Sequence, residues 1–432
     1  MSCDDVRGKR LLILGATKAV YDIVLIAQSL GVVTIVTDDN PNHPARAIAD
    51  EDYLVSTTNI DALSRLIEDR CIDGVFCGPS EFNIRNLIRV CEKTGLRCYT
   101  DMHHWDICGN KDTFKQYCME YLVDCPREYH VNEFSTDEEI NNLDYPVIVK
   151  PVDRCSSIGI TVVESPETLR EACHDAMEAS YSKRIVVEKY IENNGEIFGV
   201  RYLLQDGEAY PYLLLDTYVA DPINRISLIS AVSLAPSRYI DFYMNNMDQK
   251  VRKMIKGMGL RDGTVFFQAL PYNGKIYFHE MGYRLSGGFI YKMTEPLSGI
   301  NDIKMMIRYA LGGKMVDKEE LERIDVSFKG KVGAQLMIPL STGTINHIEG
   351  LEETIKHPSV VDFLEYYYEK DVIINEYIGT LQQLFGRYTL TGDSYEDLKT
   401  AISFIQDTLK VWSNEGKLMN SLKFDLDRIR LA

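Results

Sequence analysis

The feature that most constrains this 432-residue chain is a change in the period of its apolar residues near residue 101. Before that point, short aliphatic runs alternate with stretches of helical spacing. Arg10-Leu11-Leu12-Ile13-Leu14 stops at Gly15, and Val20, Ile23, Val24, Ala27 and Leu30 then recur at helical intervals. Val32 to Thr37 is a second run and ends in the turn cluster Asp38-Asp39-Asn40-Pro41. Ile60, Leu63, Leu66 and Ile67 share a helical face before Gly74-Val75-Phe76-Cys77, and Phe82 to Lys93 precedes Arg97-Cys98-Tyr99. Strands alternating with helices through short loops predict right-handed βαβ units around a parallel sheet, because parallel neighbours need a crossover that packs back onto the sheet.

After residue 101 the strands come in hairpins. Asn110 is placed to cap a helix whose stripe is Phe114, Tyr117, Cys118, Tyr121 and Leu122. Pro146 to Lys150 and Gly159 to Val163 flank the polar loop Asp153-Arg154-Cys155-Ser156-Ser157. Ile197 to Gln205 and Glu208 to Asp216 flank Asp206-Gly207, and Thr264 to Leu270 and Lys275 to Met281 flank Tyr272-Asn273-Gly274. The expected class is therefore α/β followed by α+β. Residues 1–101 form a doubly wound domain, 102–330 a second domain, and 331–432 a mixed third domain without a site-like cluster.

The charge narrows the function. A net −17 argues against nucleic acid or an anionic membrane as the main partner. The 10 cysteines are scattered without a CxxC pair and read as reduced. The N-terminus MSCDDVRGKR lacks the apolar stretch of a signal peptide, and no run approaches the ~18 apolar residues of a membrane span. A cytoplasmic location is expected.

Four places could carry chemistry. Gly15 and Thr17 follow the first strand, where either an anion-binding helix N-terminus or a plain βα turn fits; Gly15-Ala16-Thr17-Lys18-Ala19-Val20 is not GxGxxG. Lys150 ends the apolar strand Val147-Ile148-Val149 ahead of a loop of small residues, so it is either a phosphate ligand or a snorkelling surface lysine. Lys111 offers the same pair of readings. Ile185 to Ile191, followed by Glu196, places Glu188 near a strand end, where it either meets a ligand or is solvated. The fourth place is the most informative. Gln268 and Glu280 interrupt the apolar strands Phe266 to Leu270 and Ile276 to Met281. A two-residue turn at Asn273-Gly274 would send them to opposite faces. A three-residue loop, Tyr272-Asn273-Gly274, is the expectation, and it makes them same-face diagonal neighbours about 7–8 Å apart. Two oxygen donors so placed suit Mg²⁺, which keeps waters. Arg284 follows, either gripping an anion or pairing with Glu280.

Taken in order, Tyr145-Pro-Val-Ile-Val-Lys-Pro-Val-Asp, Val187-Glu-Lys-Tyr-Ile, and Phe266-Phe-Gln through Glu280-Met-Gly-Tyr-Arg-Leu-Ser-Gly-Gly resemble the ATP-grasp superfamily. The chain is most similar to carboxylate–amine ligases of the biotin-carboxylase and carbamoyl-phosphate-synthetase type. The resemblance spans about residues 8 to 420. It implies a pre-ATP-grasp domain, a small lobe of about 102–184, a large lobe of about 185–330 and a C-terminal closing domain. It also implies roles. Lys111 and Lys150 would hold ATP phosphates, with Ser156, Ser157 and Gly159 in the mobile loop covering them. Glu188 and the backbone of Lys189 and Ile191 would meet the adenine, and Glu196 the ribose. Gln268 and Glu280 would hold Mg²⁺, and Arg284 would orient the acyl group or its phosphate.

The implied activity is activation of a carboxylate as an acyl-phosphate and its coupling to an amine. Both substrates would be small molecules, and a homodimer is one expected assembly. Gly282 stands where the superfamily usually has asparagine, which puts a second Mg²⁺ in doubt. A nucleotide-binding protein with weakened catalysis is therefore one alternative, and a bicarbonate-activating carboxylase another. An oxidoreductase would rest on Gly15 alone. The stretch Tyr210 to Tyr243, with Arg225 and Arg238, reads either as acceptor-site lining or as core.

Overall fold

The computed structural model describes residues 6–152, 158–220 and 229–430. Ser156, Ser157 and Arg225 lie outside the described residues.

The alternating segment folds as its pattern requires. Strands β1 (Arg10–Leu14), β2 (Val33–Thr37), β3 (Glu51–Tyr53) and β4 (Gly74–Phe76) form a parallel sheet in the order β3-β2-β1-β4. Helices α1 (Lys18–Ser29), α2 (Ile60–Asp69) and α3 (Glu81–Thr94) connect them. Each helix buries the stripe its spacing marks out: Val20, Ile23, Val24 and Ala27 on α1, and Leu63, Leu66 and Ile67 on α2. Asn59 and Ser80 cap α2 and α3 by accepting a backbone N–H, and Gly95, at φ 72°, ends α3 in the left-handed region.

Helices α4 (Met102–Gly109) and α5 (Lys111–Glu120) lead into a small lobe. Asn110 caps α5 through the backbone N–H groups of Asp112 and Thr113. The lobe is an antiparallel sheet of β5 (Glu128–Tyr129), β6 (Val147–Pro151), β7 (Thr161–Val163) and β8 (Ile185–Lys189), ordered β5-β8-β6-β7. It has its own core, where Val147, Val149, Val163 and Val187 pack on Leu169, Cys173 and Ala176 of the helix Leu169–Ala179.

The hairpins that follow are β9 (Glu196–Gln205), β10 (Glu208–Val219), β11 (Ser230–Ala235), β12 (Gly263–Tyr272) and β13 (Lys275–Gly282). Then come β14 (Val332–Pro339), β15 (Gly343–Glu349), β16 (Val360–Glu365), β17 (Val372–Ile373), β18 (Leu384–Gly392) and β19 (Lys410–Ser413). Eight of these form one sheet in the order β13-β12-β9-β10-β11-β14-β18-β16, which runs through residue 331 without a break; β17-β15-β19 is a separate small sheet. One core joins Leu11 and Ile13 of the first sheet to Phe198, Phe267 and Phe278 of the large one. A second joins Tyr218, Val232 and Leu234 to Leu336, Tyr388 and Leu390. No helix among the described residues is long and apolar enough to cross a membrane.

Candidate active site

The hairpin bearing Gln268 and Glu280 turns differently from the sequence expectation. Tyr272 pairs directly with Lys275, and Asn273 (φ 48°) and Gly274 (φ 73°) form a two-residue turn with both φ values positive, as type I′ demands. The three-residue loop is not formed. With that turn alone, Ala269 pairs with Phe278 and the two candidate ligands would point apart. A β-bulge intervenes: the register shifts between Gln268 and Ala269, His279 is the extra residue, and Gln268 sits directly opposite Glu280. They share a face as cross-strand neighbours rather than diagonal ones. Neither side chain has a hydrogen-bond or ion-pair partner among the described residues.

Beside them, two lysines converge on one carboxylate. Lys150 on β6 and Lys115 on α5 both bond the Glu188 carboxylate, which is only 4% exposed, and Lys115 also reaches Glu128 at 2.7 Å. Burial pushes Glu188 up, but the Lys150 and Lys115 ammonium groups outweigh it and hold the carboxyl below its usual range. Lys115 is held above the usual lysine range: burial opposes its charge, and Glu188 and Glu128 overcome that. The sequence reading missed Lys115, although it lies one helical turn after Lys111 and so on the same face. Lys111 is pushed down by burial of its ammonium and by Lys150. The solvated reading of Glu188 is wrong, and so is the snorkelling reading of Lys150, because the pair closes a buried network.

His279 completes this corner. Both ring nitrogens are buried without a partner, and burial with the nearby Lys150 pulls its pKa to about 3, so the imidazole is neutral. A lone histidine beside a carboxylate gave no signal of this kind in the sequence.

The remaining sites are mixed. The Lys189 amide donates to the Arg127 carbonyl, so it is not free to meet a ligand, and its ammonium is held by Asp144 and the Tyr145 carbonyl. The Ile191 carbonyl accepts from the Asn193 amide. Glu196 is ion-paired with Arg238, whose guanidinium also donates to the Tyr239 hydroxyl at 2.5 Å. Gly159 has φ 72°, and a Cβ there would lie 2.6 Å from that of Ala179, so both backbone and packing require glycine. At Gly282 the φ is not positive. Instead the Phe266 ring fills the space, 2.4 Å from where a Cβ would stand.

The faces of β9, β10, β11, β12, β14 and β18 that continue from Gln268 and Glu280 line a cavity of about 570 Å³, to which Gly15 and Asn83 of the first domain also contribute. Arg284 lies at its edge, 5.0 Å from the Phe266 ring centroid, and pairs with the exposed Glu81 rather than with Glu280. Arg201, absent from the sequence reading, approaches the same ring at 5.8 Å and donates to Ser286 Oγ at 3.3 Å, while its Nη1 is buried without a partner. Of the Tyr210 to Tyr243 stretch, Tyr212, Tyr218 and Tyr243 are core, whereas Leu215 and Thr217 face the cavity.

This is the ATP-grasp fold, in the arrangement shared by carboxylate–amine ligases and biotin carboxylases. Residues 119–206 match the family described as D-ala D-ala ligase C-terminus. An L-amino acid ligase from Bacillus licheniformis superposes with a TM-score of 0.75 at 20% identity, covering 94% of this chain and 99% of the other. Biotin carboxylase from Campylobacter jejuni gives 0.74 at 17% identity, covering 96% and 94%. In sequence, the formate-dependent phosphoribosylglycinamide formyltransferase of Prochlorococcus marinus is 28% identical over 208 residues, 47% of this chain and 52% of that protein. The enzyme of the same name from Saccharolobus solfataricus is 22% identical over 314 residues, 71% and 76%. The chain thus spans about half the length of the first of these relatives. The fold and resemblance expected from the sequence hold.

Proposed function

We propose that the protein is an ATP-dependent carboxylate–amine ligase, and the observation that carries this is the same-face pair Gln268 and Glu280 between the lysine corner and the arginine-edged cavity. The two unpartnered oxygen donors fit Mg²⁺, which keeps its remaining ligands as waters and phosphate oxygens. Bound there, the metal would offset the charge of the ATP phosphates.

The chain's own residues do the positioning. Lys150 and Lys111 face the phosphates, and Glu188 and Lys115 hold Lys150 in place. Arg201 and Arg284 hold the substrate carboxylate, or the phosphate it acquires, against the metal pair. A substrate carboxylate attacks the γ-phosphorus and displaces ADP; an amine then attacks the acyl carbon and expels phosphate. The gain comes from alignment and fixed charge rather than from a covalent side-chain nucleophile. Enclosure between the first domain and the large sheet limits the access of water to the acyl-phosphate. Small-molecule substrates, a cytoplasmic location and a homodimer belong to the same proposal.

A screen of carboxylic acids against amines, with ATP and Mg²⁺ and phosphate release as readout, tests it. Release that requires both an acid and an amine supports the ligase. ATP binding without release across the screen favours the catalytically weakened alternative, which the Phe266 ring at Gly282 supports by removing one side-chain ligand.

A further inference from the structure

We infer that the substrate carries a second anionic group, a carboxylate or phosphate that is not consumed, and that Arg387 binds it at the far end of the cavity from the metal pair. This rests on the ligase reading above and narrows its substrate class.

Arg387 stands on β18, opposite Met337 of β14, and is 8% exposed. Its Nε and Nη1 are buried without a hydrogen-bond partner, and no carboxylate lies within ion-pair distance among the described residues. The Phe289 ring centroid lies 6.0 Å from its guanidinium carbon. The acid two residues from its partner Leu364 on the neighbouring strand, and so on the same face, is Asp362, which is committed to Lys292 at 2.8 Å. A guanidinium cannot shed its charge at ordinary pH, and an unpaired one in a desolvated site costs several kcal/mol. Such a cost is retained where a ligand supplies the anion.

The cavity joins this group to the reacting end. Arg387, Arg201, Gln268 and Glu280 all line it. Arg387 and Arg201 lie four strands apart in the sheet, about 19 Å along it at ~4.8 Å per strand. Leu215 and Met337, with Thr217, Ser230, Ser233 and Gln335, line the intervening surface. One anion at Arg201 and Arg284, an uncharged spacer with room for hydroxyl or amide groups and a second anion at Arg387 match this order of charge and surface. The acidic group bearing on Arg201, Asp302, is buried, accepts from the Tyr212 hydroxyl and is itself pushed up by burial, so it does not replace the ligand.

The test uses the full chain with Mg²⁺ and a non-hydrolysable ATP analogue for binding, and with Mg²⁺ and ATP in a parallel assay of ADP release. Straight-chain α,ω-dicarboxylates of rising length, the monocarboxylates of equal length and ω-phosphorylated acids are titrated calorimetrically into wild type and Arg387→Met. At the best length the doubly charged acids should bind at least 10-fold more tightly than the monocarboxylate, and whether carboxylate or phosphate binds better identifies the second group. In Arg387→Met the advantage should disappear. That variant should also melt higher than wild type without ligand, which shows that it is folded. Equal binding of mono- and diacids by wild type, or an advantage that survives in Arg387→Met, overturns the inference while ADP release with monoacids keeps the ligase reading. Absence of nucleotide binding and of ADP release with every acid overturns both.

Discussion

At the scale of single residues, charge in this protein is placed where burial makes it expensive. Lys150 and Lys115 share Glu188, whose side chain is 5% exposed against 10% for Lys115 and 17% for Lys150. Removing one cation leaves the other to satisfy the carboxylate, so Lys150→Met should fold, yet lose a charge-assisted contact to phosphate worth about 1.5–3 kcal/mol. Calorimetric titration with ATP should therefore show affinity lower by roughly 10- to 150-fold; unchanged affinity would remove Lys150 from the site. Asp216 gives a pH signature. It accepts from Ser237 Oγ at 2.5 Å and from the Arg238 amide at 2.8 Å, but burial raises its pKa to about 6. A carboxyl that is easier to protonate when folded adds stability below the unfolded pKa near 3.8 and loses it as pH rises through 6. Relative to Asp216→Asn, wild type should thus gain about 2 kcal/mol of unfolding free energy between pH 7 and pH 4. Urea denaturation of both proteins at the two pH values measures this, and a difference independent of pH would refute it. The sequence marked Lys150 and Glu188 as strand-end charges but left their partners open, because Lys115 reaches them only through the docking of α5 on the small lobe.

Among the elements, the β12–β13 hairpin matters most. Its turn residues were plain in the sequence, yet the short turn by itself puts Gln268 and Glu280 on opposite faces. The bulge at His279 reverses that, since one extra residue flips every side chain beyond it. Exchanging the two residues, His279→Glu with Glu280→His, should move the carboxylate to the bulge position, out of line with Gln268, and abolish Mg²⁺-dependent ATP turnover, while circular dichroism and the melting profile stay those of a folded protein. Turnover and Mg²⁺ dependence equal to wild type would sink the metal-pair assignment. Bulges of this kind are decided by contacts with neighbouring strands. Here β12 is also tied to β9, with Gln268 opposite Gly199, and no local spacing shows that.

For the whole molecule, the break in pattern near residue 331 does not interrupt the large sheet. β11 pairs with β14 from Val232–Leu336 to Ala235–Gly333, and Tyr218, Val232 and Leu234 are buried by the strands beyond. Exposing three such side chains costs about 5–9 kcal/mol, comparable to the net stability of a typical domain. A chain ending at residue 330 should therefore not give a cooperative monomer. Size-exclusion chromatography and a thermal melt check this; a monomeric product with a sharp transition would show that the first two domains stand alone.

Local patterning by itself determined the parallel first sheet, the hairpins after it, the helix cap at Asn110, and the residues whose polarity is out of place in apolar strands. These follow from side-chain period, capping chemistry and burial of charge, all of which act over a few residues. Only the tertiary structure decided that Gln268 and Glu280 face each other, that Lys115 joins Lys150 on Glu188, that Phe266 fills the space at Gly282, and that Arg201 and Arg387 line one cavity with no ion-pair partner among the described residues. Each depends on strand register or on residues far apart in the chain meeting across a sheet, and neither is set by the spacing of side chains within a single element.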